Sequence, residues 1–217
     1  MARPVLFVLA GVNGAGKSSI GGHLLERRGL TWFNPDTFAR ELVAASGCDQ
    51  ATANGHAWSE SLRRLDEAVA LGHDHAFETT LAGHTIAERI AAACDTHDVM
   101  VWFCGLATPD QHVARVRARV AAGGHDIPED RIRERYPRAL LNLIGLIPAL
   151  AHLQVHDNST DVPAGAPVPD PVLVLQMEQG RMTWPSPGDV EALRQTPDWA
   201  KALVEAALRG LDGIDAQ

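Results

Sequence analysis

Cysteine is scarce. Cys48, Cys94 and Cys104 are the only three in 217 residues, an odd count with no C-x-x-C pair, which argues against a disulfide framework and a zinc site. A reducing cytoplasm is the compartment this expects. Basic residues are also in deficit: 19 Lys and Arg stand against 27 Asp and Glu, a formal charge of −8. A field of that sign repels polyanions, so nucleic acid and anionic membrane surfaces are disfavoured partners. No apolar tract reaches the ~20 residues that span a bilayer; the longest, residues 139–153, is interrupted by Asn142 and Pro148. Solenoid-period repeats are missing. His73, His75 and His84 have no further ligand at a familiar metal-site spacing. Arg3 followed by an apolar run has the look of a secretory leader, but the run is short and leads straight into a glycine loop, so it reads as a first strand.

What is present is the composition of a soluble globular protein, 46% hydrophobic and 21% charged, long enough to bury most of its surface as a single domain over residues 1–217. Its organising stretch is Gly11-Val12-Asn13-Gly14-Ala15-Gly16-Lys17-Ser18, directly after the apolar run Val5 to Ala10. This is the P-loop pattern. Backbone N–H groups from Gly11 to Ser19 would cradle phosphates at a helix start, Lys17 would reach the β/γ-phosphates, and the Ser18 hydroxyl would ligand Mg²⁺. The nucleotide is then ATP or GTP. No apolar strand ends in the Asp by which a motor-type NTPase holds its metal, so phosphoryl transfer is favoured over mechanical work.

Strands and helices alternate, which predicts a P-loop kinase-type α/β fold: three α/β/α layers around a five-stranded, mostly parallel sheet. The expected strands are residues 5–10, 31–34, 75–80, 99–104 and 172–176. The fourth, Val99 to Cys104, is apolar throughout and reads as buried on both faces. Helices are expected at residues 18–28, 37–45, 50–71 and 86–94, followed by a helical lid across about 108–145. Residues 171–210 supply a last strand and helix, with Gln179-Gly180 as a turn and Trp199, Leu203 and Ala207 facing inward. The Pro- and Gly-rich residues 157–171 read as a loop that borders the nucleotide base.

Several polar residues fall where such folds bind ligands, at strand carboxyl ends. Asp36 follows the second strand; Glu78, Thr79 and Thr80 close the third and could hydrogen-bond a hydroxylated substrate. In the lid, Thr108, Pro109 and Gln111 form a capping signature, and helical spacing puts Arg117 and Arg119 on the flanks of the Val113, Val116 and Val120 stripe, ahead of Arg115. A second capping pattern at Asp126 to Glu129 starts a helix on which Arg131, Arg135, Arg138 and Asn142 share a face. Arginine forks there suit a transferred phosphoryl group. Pro137 should kink or break that helix.

Gly11 to Ser18, Asn34-Pro35-Asp36, Glu78-Thr79-Thr80-Leu81, Arg119 through Pro128, Arg135-Tyr136 and Asp157-Asn158-Ser159 together resemble the zeta-toxin family of P-loop kinases, over residues 5 to 160. That resemblance implies transfer from ATP or GTP, with Mg²⁺, to the 3′-hydroxyl of the N-acetylglucosamine unit of UDP-N-acetylglucosamine, and in some members a toxin held by an antitoxin partner. It implies Asp36 as the base on the substrate hydroxyl. Glu78, Thr79, Thr80 and Arg138 are expected at the substrate, and Arg119 and Arg135 as the arginines that close over phosphate beside Lys17. The sequence departs from the better-known toxins at Asn34 and Ala39, where they carry an acidic residue and an arginine. A kinase for another hydroxylated metabolite or an antibiotic, and a nucleotide-dependent binding module without transfer, are the alternative readings.

Overall fold

The computed structural model describes residues 2–18, 31–162 and 169–212. The expected P-loop helix beyond Ser18, including Ser19, lies outside them, as do residues 163–168 of the expected loop.

The sheet has six strands rather than five, ordered β2-β1-β3-β4-β5-β6. Its parallel half comprises β1 (Val5–Ala10), β2 (His75–Thr79), β3 (Asp98–Gly105) and β4 (His152–Asp157). The antiparallel half adds β5 (Val172–Glu178) and β6 (Arg181–Trp184), joined at Gln179 and Gly180. Those two residues both have positive φ, 49° and 74°, as a two-residue hairpin turn of the primed type requires. Residues 31–34 do not form a strand. Only Phe33 bridges to Phe77, because the chain turns into a helix at Pro35.

β4 was not legible as a strand. His152-Leu-Gln-Val-His-Asp157 alternates apolar and polar residues, but it trails an apolar helix with no glycine between them. One face of the sheet is fully buried: Leu6, Val8, Val99, Val101, Phe103, Leu153, Val155, Leu175 and Met177 are all at or below 5% exposure. Ile86, Ile90, Leu143, Leu146, Leu203 and Ala207 from the helices join the same apolar cluster. The other face is only half-buried at Met100 and Trp102, so β3 is not doubly buried as its composition suggested.

The helices are α1 (Pro35–Ser46), α2 (Gln50–Leu71), α3 (His84–Ala93), α4 (Pro109–Ala121), α5 (Glu129–Leu146), α6 (Val190–Arg194) and α7 (Lys201–Asp212). Thr108 caps α4 as expected, its side chain accepting from Gln111 N. α5 starts differently: Pro128 is the cap and no side chain caps it. It continues through Pro137, where a kink or break was expected. α1 and α2 approach closely through Ala39, Ala53 and Ala57, a separate small apolar cluster. Among the described residues no helix is long and apolar enough to cross a membrane.

Candidate functional site

β1 delivers the chain into the loop Gly11 to Ser18, where steric constraints account for two of the glycines. A Cβ on Gly11, at φ 140°, would lie 2.2 Å from the Cys104 carbonyl oxygen; one on Gly14, at φ 86°, would lie 2.7 Å from the His112 carbonyl oxygen. Neither a side chain nor a right-handed backbone fits. The loop's carbonyls are tied down from behind. His112 Nδ1 lies 2.8 Å from Asn13 O, Asn158 Nδ2 donates to Ala15 O at 2.8 Å, and the Cys104 thiol donates to the same oxygen at 3.0 Å.

His112 is 1% exposed, and burial pushes its pKa down to about 4. The neutral ring therefore carries its proton on Nδ1, the nitrogen facing the Asn13 carbonyl. Its ring packs in a T-shaped arrangement with Tyr136, centroids 5.5 Å apart, and the Tyr136 hydroxyl donates to the carbonyls of Leu106 and Ala107. So α4, α5 and the end of β3 all brace the phosphate loop. Sequence reasoning missed His112 as a site residue. The available signal was a polar side chain beside Val113 and Val116 on the buried stripe of α4.

Glu78 is the centre of the site rather than a free strand-end carboxylate. Lys17 Nζ lies 3.5 Å from its Oε1, and Ser18 Oγ and Asn34 Nδ2 donate to its Oε2 at 3.0 and 2.9 Å. Lys17 and Glu78 are both nearly buried. A buried charge pair supplemented by two donors is held much more firmly than a surface one. Asn34 does double duty, since its Oδ1 also accepts from Thr37 N to cap α1. That cap sets Asp36 in the first turn of α1, exposed.

Asp36 shares a cleft of about 350 Å³ with Asn13, Lys17, Glu78, Thr79, Thr80, Arg131 and Arg135. Thr79 and Thr80 reach it because the chain turns sharply after β2. Leu81 takes a left-handed φ of 58°, its N–H bonds Thr79 Oγ1, and Asn142 of α5 donates to the carbonyls of Leu81 and Gly83.

The arginines sort themselves by these contacts. Arg135 Nη1 donates to Asn13 Oδ1 at 2.7 Å; burial lowers its pKa from the usual value, while the Asp36 carboxylate opposes that. Arg131, one turn earlier on α5, also lines the cleft, with a 3.4 Å contact to Glu134. Arg119 does not line it. Its Nη2 donates to His125 O and its carbonyl accepts from Gly124 N, so it braces the loop whose residues His125 to Pro128 wall the cleft. Arg138 is likewise turned away, paired with Glu134 at 2.9 Å. Arg117 pairs with Glu129, and Arg115 reaches Thr160 O and Asp161. The i, i+4, i+7 spacing correctly put three arginines on one face, but Glu134, four residues before Arg138, captures the third.

A family model described as "AAA domain" matches residues 6–136, more than half of the chain and all of the cleft's charged residues. The chain belongs to the AAA domain family. This AAA domain is 29% identical to an uncharacterized protein of Haemophilus influenzae, over 63% of its own length and 100% of that protein's. Among solved structures, the AvrRxo1-ORF1:-ORF2 complex with ATP superposes with a TM-score of 0.62 at 16% identity. The match covers 84% of this AAA domain and 60% of that chain, so this chain spans less than two thirds of it. The PezAT chromosomal toxin-antitoxin system of Streptococcus pneumoniae superposes at 0.51 with 14% identity, over 72% of this chain and 68% of that one. At such identities the likeness shows the fold, a P-loop α/β architecture.

Proposed function

We propose that this protein is a P-loop kinase that transfers the γ-phosphate of ATP, or GTP, to a hydroxyl of a small acceptor. The observation that carries the reading is that Asp36 and Arg135 open onto the same cleft as Lys17, one a proton acceptor and the other a fixed positive charge. The zeta-toxin resemblance names the acceptor as a nucleotide sugar such as UDP-N-acetylglucosamine, and the superposition on the PezAT system supports looking for an antitoxin partner. In the same reading the 217 residues act as one cytoplasmic domain.

The residues present suit a hard divalent cation. The Ser18 hydroxyl and the Glu78 carboxylate are adjacent oxygen donors at the end of the phosphate loop, the donor type Mg²⁺ takes. When bound, Mg²⁺ neutralises charge on the β- and γ-phosphate oxygens. The protein's own part is positioning. Loop amides and Lys17 hold the phosphates, and Thr79 and Thr80 orient the acceptor. Asp36 takes the hydroxyl proton as the acceptor oxygen bonds to the γ-phosphorus and the bond to the β-phosphate oxygen breaks. Arg135 stabilises the charge on the transferring group.

The test is transfer of label from γ-labelled ATP with Mg²⁺ to UDP-N-acetylglucosamine and a panel of hydroxylated metabolites. Asp36→Asn should lower transfer by about 100-fold or more while ATP affinity stays within about threefold of the parent. Full activity in that variant removes Asp36 as the base. ATP binding with no labelled acceptor in the panel favours the binding-module reading.

A further inference from the structure

The acceptor end of the cleft is walled by a helix that the chemistry above does not use. Asn54, Ala57, Trp58 and Ser61 of α2 line it, at the i, i+3, i+4 and i+7 positions of one helical face. Ala57 and Ser61 are buried, at 2% and 3% exposure, whereas Trp58 is 41% exposed. Among the described residues lining this cleft, Trp58 and the smaller His125 imidazole are the aromatic rings. Its position is held from two sides: α2 is fixed against α1 through Ala53 and Ala57, and a Cβ built on Gly83 would sit 3.5 Å from the indole Cη2. The ring tip thus rests against the turn after β2 while the indole borders the cavity.

A large aromatic left open to water inside a polar cleft costs hydrophobic free energy unless a ligand covers it. The same cavity is lined by Arg131, whose exposed side chain, among the described residues, pairs with Glu134 at 3.4 Å. Among the described residues it makes no hydrogen bond to the phosphate loop, unlike Arg135. A stacking surface, an exposed guanidinium with a long 3.4 Å contact to Glu134 and the Asp36 carboxylate around one cavity describe a ligand with three matching parts: a ring, an anionic substituent and a hydroxyl.

We propose that Trp58 is the platform of the acceptor subsite, stacking a ring of the substrate, and that Arg131 holds an anionic substituent of the same molecule. The acceptor class is a ring-bearing phosphorylated compound, a nucleotide or sugar phosphate, as opposed to an acyclic polyol. This rests on the kinase reading for the acceptor's role, but the binding subsite can be tested apart from transfer.

The experiment is calorimetric titration of the full chain, with a non-hydrolysable ATP analogue and Mg²⁺ present, by UDP-N-acetylglucosamine, AMP, glucose 6-phosphate, glucose and glycerol 3-phosphate. At least one of the three phosphorylated ring compounds should bind, and glycerol 3-phosphate should bind at least tenfold more weakly. Trp58→Ala should weaken the bound ring compound about tenfold, the scale of one ring stacked on an aromatic side chain, and Trp58→Phe by less than about threefold. Arg131→Ala should weaken glucose 6-phosphate and erase its advantage over glucose. ATP-analogue affinity and the unfolding midpoint report that the variants are folded. Equal binding by glycerol 3-phosphate, no binding by any ring compound, or wild-type affinity in a folded Trp58→Ala protein each overturns the proposal. Trp58-dependent binding without label transfer upholds the subsite and overturns the kinase reading instead.

Discussion

Asn13 links the two halves of the site through a single residue: its carbonyl faces the ring of His112, and its side-chain oxygen accepts from Arg135. A shift in the phosphate loop therefore moves the arginine, and protonation of His112 disturbs both. With its folded pKa lowered to about 4 from an ordinary 6.5, the histidine contributes stability that is complete above pH 6.5 and is lost as pH falls toward 4. At pH 5 the loss is about 2 kcal/mol. Burial lowers His156 to about 4 as well, so the two losses share one window. Urea unfolding between pH 7.5 and 5 should show this decline, and His112→Asn should remove its share of the slope while leaving that of His156. Sequence could not place His112 here. The signal in its position beside Val113 and Val116 was not read, and only the packing of α4 against the loop decided that it meets a carbonyl rather than solvent.

At the scale of elements, the helices read well because their signals are local. α2 runs from Gln50 to Leu71 with Asp49 as cap and Gly72 in the left-handed region at its end, and both limits are residues whose chemistry starts or stops helices. The expected second strand was misread, and β4 was missed, for the opposite reason. Whether a four-residue segment such as Thr31 to Asn34 pairs as a strand depends on the neighbour available, and Phe33 makes one bridge before Pro35 begins a helix. The α1–α2 hairpin is the element most exposed to test. Ala53 is fully buried between the two helices, so Ala53→Leu should destabilise the protein by about 1–3 kcal/mol through overpacking. Because the hairpin carries Asp36 and Trp58 but not the phosphate loop, acceptor binding should weaken severalfold while ATP affinity is retained, measured by titrating each ligand separately.

At the scale of the whole molecule, the phosphate loop sits where several elements meet: β1 leads into it, β2 supplies Glu78, β3 supplies Cys104, α4 supplies His112, α5 supplies Arg135 and the segment after β4 supplies Asn158. A ligand at that junction binds the folded state alone, so ATP with Mg²⁺ at 100 times its dissociation constant should add about 2.7 kcal/mol of stability. Thermal unfolding with and without EDTA should show the larger midpoint increase only when Mg²⁺ is present, with the ligand-free midpoint unchanged by the chelator. The sequence by itself determined the glycine loop that ends in Lys17 and Ser18, the α/β class with a mostly parallel sheet and the helical spacing of Arg131, Arg135 and Arg138, since each is a short-range pattern governed by backbone geometry and residue spacing. Only the tertiary structure decided that Glu78 locks onto Lys17 and Ser18, that Arg131 rather than Arg119 or Arg138 joins Arg135 at the cleft, and that Trp58 faces it. Those outcomes depend on which distant side chains compete for the same charge or the same space, and no local spacing records that competition.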